Sequence, residues 1–401
     1  MKKMFAISLM LVFILTTAMA EVSISGLVGA GVTIVESDST STNDLDSGGI
    51  LFGRLQATAE NEDGTFGGLL RVQAGIDKNL VDSVYAWAWW RPLDMLRLQI
   101  GFIDAFAVND IVGWEFHTND SEDNNIASAG YGYDEYKGNR DFLLHRSTGF
   151  YNGTWWTGAA LSLTPLKGLA LNIAIPFGPG NRFLRGVLDS DKNTYRSYDV
   201  YRSIHAQAVY TIEGIGRAAI TFRGRDDLGT DYIEGGASTL YGSFYLFAFE
   251  NMGVNLGVAY TLPVKDKETN ITYNAPVAAG LGLSCGFDDF SLKARFAATF
   301  AGSKEAENGN KTIDPFRLGF GINPSYNFGI LKLFLNTGVS FVSEEEGVKD
   351  SYAFGWHANP YITKTVGPGT LYAGVRIESF GKNKDDTAIE WGIPIAIQFE
   401  F

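Results

Sequence analysis

The sequence predicts an all-β fold: a transmembrane antiparallel β-barrel of about 18 strands, or about 16 if one weak hairpin merges. Three observations carry this. Apolar residues recur at alternate positions over segments of ~9–11 residues, the length a tilted strand needs to cross a membrane. The connections between those segments alternate between short turns and long polar loops. After residue 20, no apolar run approaches the ~18 residues a membrane-spanning helix requires.

Residues 1–20, MKKMFAISLMLVFILTTAMA, stand apart. Lys2 and Lys3 precede an apolar core from Ile7 to Leu15, and Ala18-Met19-Ala20 is a small-x-small cleavage site. That is a secretory signal peptide, leaving 21–401 as one barrel domain that begins at Glu21. The first strand follows with an even-numbered apolar row of Val22, Ile24, Val28, Ala30, Val32 and Ile34. Phe66, Leu70, Val72, Ala74 and Ile76 oppose Arg71 and Gln73, and Leu96, Leu98, Ile100 and Phe102 alternate with Arg97, Gln99 and Gly101. Val254 to Leu262 and Phe290 to Phe300 repeat the pattern, the latter opposed by Lys293 and Arg295. Phe316, Leu318, Phe320 and Ile322 face away from Arg317. Period two with one oily face is the signature of a half-buried strand.

Short connections fall at 61–65, 92–95, 165–168, 213–216, 250–253, 288–290, 327–330 and 366–369. Longer polar segments fall at 36–48, 104–146, 178–199, 226–236, 264–275, 302–314, 343–350 and 381–387, with 77–82 a short connection where a long one is expected. Eight short turns and nine connections on the other rim give an even strand number, with both termini at the short-turn rim. Even parity lets the first and last strands pair antiparallel. Closure is compulsory in hydrocarbon, where each unpaired backbone group costs several kcal/mol.

Composition agrees. The chain is 45% hydrophobic and 13% aromatic, so it is not a disordered polymer. Its mean hydropathy of −0.01 is too low for a helical membrane protein. The single cysteine, Cys285, cannot form an internal disulfide. The formal charge is −13, and losing Lys2 and Lys3 takes it to −15, which argues against nucleic acid as a partner.

The chain closes on IPIAIQFEF, where Ile393, Ile395, Ile397, Phe399 and Phe401 form one apolar row. This segment resembles the C-terminal signature of bacterial outer-membrane proteins, and with the signal peptide and the hairpin march it makes the chain similar to bacterial porins throughout. The resemblance implies that Ile397, Phe399 and Phe401 are read by the β-barrel assembly machinery, that outer-membrane lipid surrounds the barrel, and that three copies associate as a homotrimer. Pro394 departs from the signature, because proline removes a ladder hydrogen bond. It marks a bulge or the loop-side part of the strand.

A barrel of ~16–18 strands is wide enough for an aqueous lumen. Opposite the apolar rows lie Arg54, Arg71, Arg97, Arg223, Lys293, Arg295, Arg317, Lys332 and Arg376. Gln56, Gln73, Gln99, Gln207, Asn255, Asn323 and Glu378 join them as a candidate pore wall. The longest loop, 104–146, follows the fifth strand. It carries Asp104, Asp110, Glu115, Asp120, Glu122 and Asp123, then Asp134, Glu135 and Asp141. In porins the third loop on that rim folds into the lumen, with its acids facing wall arginines. The resemblance thus makes 104–146 the candidate constriction. The other reading is an acidic external loop. Opposed charges across an eyelet would create a transverse field that orients dipolar solutes.

Tyr85, Trp87 and Trp89 share one face near a short turn, with Trp90 beside them, and interfacial girdles are the default reading of such residues. Trp156, Tyr372 and Phe334 are the candidates for inward-pointing rings, and His205 and His357 for inward-facing histidines. Signals of catalysis are poor. There is no phosphate loop, metal-ligand spacing or cysteine cluster. The run DSDKN at 189–193 begins like a calcium loop but has Thr194 and Val200 where glycine and glutamate belong. Asn152-Gly153-Thr154 matches a glycosylation sequon, which carries little weight in a chain of bacterial type.

The functional expectation is a porin: a water-filled channel for passive diffusion of small hydrophilic solutes and ions, with no cofactor and no reaction. A solute-specific channel, such as one for a sugar, and a surface adhesin or receptor barrel are the alternatives. Basic walls and acidic loops pull ion selectivity in opposite directions.

Overall fold

The computed structural model describes residues 21–37, 50–75, 83–103, 156–176, 188–189, 194–195, 204–226, 237–265, 270–274, 277–300, 302–313, 316–343, 353–380 and 389–401. The signal segment 1–20 and the loop 104–146 lie outside them.

The chain forms one closed wall of 18 antiparallel strands, as predicted, and the alternative of 16 falls. In chain order they are β1 (Glu21–Ser37), β2 (Ile50–Glu60), β3 (Phe66–Gly75), β4 (Ser83–Leu93), β5 (Leu96–Ile103) and β6 (Trp156–Leu166). Next come β7 (Leu169–Pro176), β8 (His205–Ile212), β9 (Gly216–Asp226), β10 (Ala237–Phe249), β11 (Met252–Thr261) and β12 (Val277–Phe287). The last six are β13 (Phe290–Phe300), β14 (Arg317–Asn327), β15 (Lys332–Val342), β16 (Ala353–Val366), β17 (Gly369–Gly374, resuming as Arg376–Phe380) and β18 (Glu390–Glu400). All eight predicted short turns sit on one rim, between β2 and β3, β4 and β5, and so on to β16 and β17.

Neighbouring residues along a strand differ sharply in exposure, which fixes the two faces. On β9, Ile220 is 68% exposed beside Thr221 at 4%; on β5, Ile100 is 59% exposed beside Gln99 at 3%. The exposed large aliphatic and aromatic residues of most strands occupy the convex outer face, and polar residues, with a few aromatics, pack along the concave inner one. This inversion of a soluble protein's pattern requires an apolar medium outside.

Closure runs through β1, which pairs with β2 on one side and β18 on the other. At the seam the Gly26 amide donates to the Phe401 carbonyl (2.7 Å) and the Phe401 amide donates back (3.0 Å). The Phe401 ring lies over Gly26 so closely that a Cβ there would collide with it. Pro394 sits opposite Thr33, and the register of β1 shifts immediately afterwards, between Thr33 and Glu36. On its other flank β17 breaks at Val375, whose amide donates to the Pro360 carbonyl. Both irregularities border the one residue of β18 that cannot donate to a ladder.

On the long-loop rim, Val264–Lys265, Thr272–Asn274, Ser303–Glu305 and Lys311–Ile313 form a four-stranded sheet. It joins the β11–β12 connection to the β13–β14 connection and raises that part of the wall.

Candidate functional site: the inner face of the barrel

Antiparallel pairing places partners on the same face, so the register strings inner-face residues into rows around the wall. One row is Arg97, Ser162, Asn172, Gln207 and Thr221 on successive strands β5 to β9. The Asn172 amide donates to Gln207 Oε1 (3.1 Å), and the Gln207 amide donates to Thr221 Oγ1 (3.0 Å). The row beside it is Gly67, Trp89, Gln99, Ala160, Ala174, His205 and Arg223. A third runs through Arg217, Tyr245, Asn255, Gly282, Arg295, Gly321, Gly338, His357 and Glu378.

The nine cations picked out from the sequence therefore fall on one face. Arg54 lies opposite Gln73 and Leu27, and the Arg71 Nε donates to Gln56 Oε1 (2.9 Å). The Arg97 guanidinium lies 4.9 Å from the centre of the Trp89 ring, and Lys332 Nζ lies 4.6 Å from that of Phe334. Arg376 is buried in the wall and paired with Gly392; Lys293 is paired with Ser284 and Asn323. Arg223, Arg295 and Arg317 hold inner-face register positions opposite His205, Gly282 and Thr299. The six acids Asp104, Asp110, Glu115, Asp120, Glu122 and Asp123 lie outside the described residues.

Two further cations share this face. Arg217 pairs with Thr211 and Tyr245; it follows the same odd-number parity as Arg223 but adjoins a turn, which hid it. The Arg91 Nη1 donates to the Gly64 carbonyl (3.3 Å) and approaches Glu60 Oε1 at 3.9 Å, within the register shift between Trp90 and Leu93. Among the described residues, the inner-face carboxylates Glu60, Glu390 and Glu400 lie at strand ends, while Glu378, paired with His357 and Glu390, stands in the third row with Arg217 and Arg295. Cations outnumber carboxylates along the mid-wall.

The aromatic expectation needs correcting. Tyr85 pairs with Arg71, Trp87 with Leu69 and Gly101, and Trp89 with Gly67 and Gln99, so all three hold inner-face positions and none belongs to a lipid girdle. Trp90, half-exposed on the outer face, does face the membrane. Phe334 and Tyr361 stack with parallel rings, 4.6 Å apart, beside inner-facing Tyr372. His357 Nε2–H donates to Asn336 Oδ1 (3.0 Å), and both histidines named from sequence, His205 and His357, are buried on the inner face.

No protein-family model matches the sequence, and no curated protein does. Solved structures do. OccK2 (OpdF) of Pseudomonas aeruginosa, crystallised in complex with glucuronate, superposes with a TM-score of 0.56 at 12% identity over 96% of this chain and 98% of its own. OccK3 (OpdO) gives 0.55 at 11% identity over 96% and 97%. The P. aeruginosa outer membrane protein OpdK gives 0.55 at 10% identity over 96% and 99%. The chain has the OccK/Opd fold. At such identities the likeness is one of architecture, an OccK/Opd-type barrel matched over almost its whole length.

Proposed function

We propose that the chain is an outer-membrane porin, a water-filled channel through which small hydrophilic solutes and ions diffuse passively. The observation that carries the reading is the pairing of an apolar outer face with rows of cations and amides on the inner face of a closed 18-stranded wall. A wall this wide leaves an aqueous lumen, and its cations favour anions. The acids of 104–146 narrow the lumen and oppose the wall arginines; the length, acidity and place of that loop after β5 support this. The barrel assembly machinery engages β18 through Ile397, Phe399 and Phe401. Three copies associate side by side, as the resemblance to porins implies. No reaction is assigned.

The test is single-channel conductance of refolded 21–401 in planar bilayers. Open, nanosiemens-scale steps are expected; a folded, inserted and silent barrel would point instead to an adhesin or receptor. Native-gel mass before and after heating tests the trimer.

A second reading, a solute-specific channel, is favoured by the stacked Phe334–Tyr361 pair beside Lys332 and by the glucuronate bound to OccK2. It predicts saturable block of the current by glucuronate and none by glucose at equal concentration.

A further inference from the structure

Pro92, Pro165 and Pro176 lie at or next to the end of a strand, where a missing amide costs little. Pro324, Pro360 and Pro394 stand inside β14, β16 and β18, and the ladder lapses beside them. Pairing of β14 with β15 stops between Ile322–Thr337 and Ser325–Phe334 without a change of register, which sets Pro324 opposite Leu335. Leu335 in turn lies opposite Pro360. The pairs Ala373–Ile395 and Arg376–Gly392, on either side of the break in β17, set Pro394 opposite Gly374.

All three prolines turn their hydrogen-bonding side to a neighbour that needs a donor. The Val375 amide donates to the Pro360 carbonyl, so Pro360 faces β17 and has no N–H to return to the Val375 carbonyl. Such sides alternate along and across an antiparallel sheet. Leu335 therefore faces Pro324, and Gly374 faces Pro394. The carbonyls of Leu335, Val375 and Gly374 thus lose their ladder donors at one level of the wall. At membrane depth, backbone of this kind is tolerated where it lines water. On the inner face, Asn323, Asn336 and Asn359 hold successive positions at this level. The Asn359 side chain already enters the ladder, its Oδ1 accepting from the Ile377 amide (3.2 Å). The outer face is apolar, with Leu335 exposed between Pro324 and Pro360.

We infer that the wall from β14 to β18 carries a lateral opening, a water-filled gap from lumen to bilayer that passes single-chain amphiphiles with an uncharged, hydrogen-bonding head. The inference rests on the channel reading and adds a second exit, through the wall. The asparagine amides meet the head, while the tail slides past Leu335 into lipid. A polar-to-apolar gradient across one wall thickness matches the gradient along such a molecule.

The experiment is thiol labelling of refolded 21–401 in nanodiscs, with Cys285→Ser as background and folding verified by heat-modifiable mobility. The reagent is sulfonatoethyl methanethiosulfonate, which is charged and reacts with thiolate in water. Leu335→Cys, on the lipid side, is expected to react. Val254→Cys and Leu256→Cys bracket its height on β11, two and four positions past the strand start against three for Leu335, and are expected to stay unreactive. Pro324→Ala returns a donor to the Leu335 carbonyl and should slow labelling of Leu335→Cys by about five- to tenfold, the equilibrium equivalent of one recovered hydrogen bond. Pro360→Ala replaces it in the comparison if that variant does not reach the folded band. Octyl glucoside below its micellar concentration should also slow labelling, and glucose should not; a general disturbance of the bilayer would instead raise labelling of Val254→Cys and Leu256→Cys. Asn323→Cys reports on the lumen. The inference is overturned if Asn323→Cys reacts while Leu335→Cys is no faster than the β11 positions, if the alanine variant leaves the rate unchanged, or if octyl glucoside gives no protection. An unreactive Asn323→Cys in folded protein would instead remove the water-filled channel itself.

Discussion

Asp63 shows how much one exposed side chain can organise. In the turn between β2 and β3 its Oδ1 accepts from the Thr65 hydroxyl (2.7 Å), the Thr65 amide (3.1 Å) and the Asn61 side-chain amide (2.5 Å). The Thr65 hydroxyl first, and then its amide, hold the carboxyl below its ordinary value of 3.8. A lowered folded-state value means that the charged form stabilises the turn above the unfolded value, and that this contribution fades as pH falls through the folded one. In urea titrations the wild type should exceed Asp63→Ala in stability at neutral pH, and the difference should close below pH 3.8. A residue on the outer face meets a harsher rule. Ile220 points at lipid, so Ile220→Arg is expected to cost about 2–4 kcal/mol in refolding equilibria if it lies near the bilayer midplane.

Elements were legible in the sequence wherever chemistry is local. Alternation located the strands and turn composition the eight short connections, because both depend on residues within a few positions of each other. The inner wall was legible for the same reason, since Arg71 and Gln73 oppose a plain apolar row. β4 misled for a physical reason. Its lipid-facing row includes Ala86 and Ala88, which are small, while its inner row holds Tyr85, Trp87 and Trp89. The hydrophobic contrast on this strand therefore points the wrong way, and only pairing with Arg71 and Gln99 reveals the face. The alignment of Pro324, Pro360 and Pro394 was hidden because it joins alternate strands. At the seam, Gly26→Val should push the Phe401 ring aside and cost roughly 1–3 kcal/mol, the usual penalty of overpacking. The double variant Gly26→Val/Phe401→Ala should lose less than the two single variants combined, because the clash needs both partners. Urea midpoints of the heat-modifiable band measure all four corners of that cycle.

For the whole molecule, the net charge of −13 hides an uneven distribution. Acids dominate the sequence, but cations dominate the inner wall among the described residues. Any preference for anions is therefore a property of the lumen and not of the overall charge. Wall cations act through water, so the preference should weaken as salt rises from 0.1 M to 1 M, where the screening length falls from about 10 Å to about 3 Å. Zero-current potentials at a fixed concentration ratio and increasing absolute salt check this directly.

The seam between β1 and β18 also constrains how such a pore can change over generations. Antiparallel closure admits only even numbers of strands, so the wall widens or narrows by whole hairpins, each adding about 10 Å to the girth measured across the strands. Gain or loss of a hairpin far from the seam leaves Gly26, Pro394 and Phe401 untouched. Bore size is thus inherited in discrete steps. Continuous adjustment between those steps falls to side chains that stand on the wall, as Trp89 and Arg97 do.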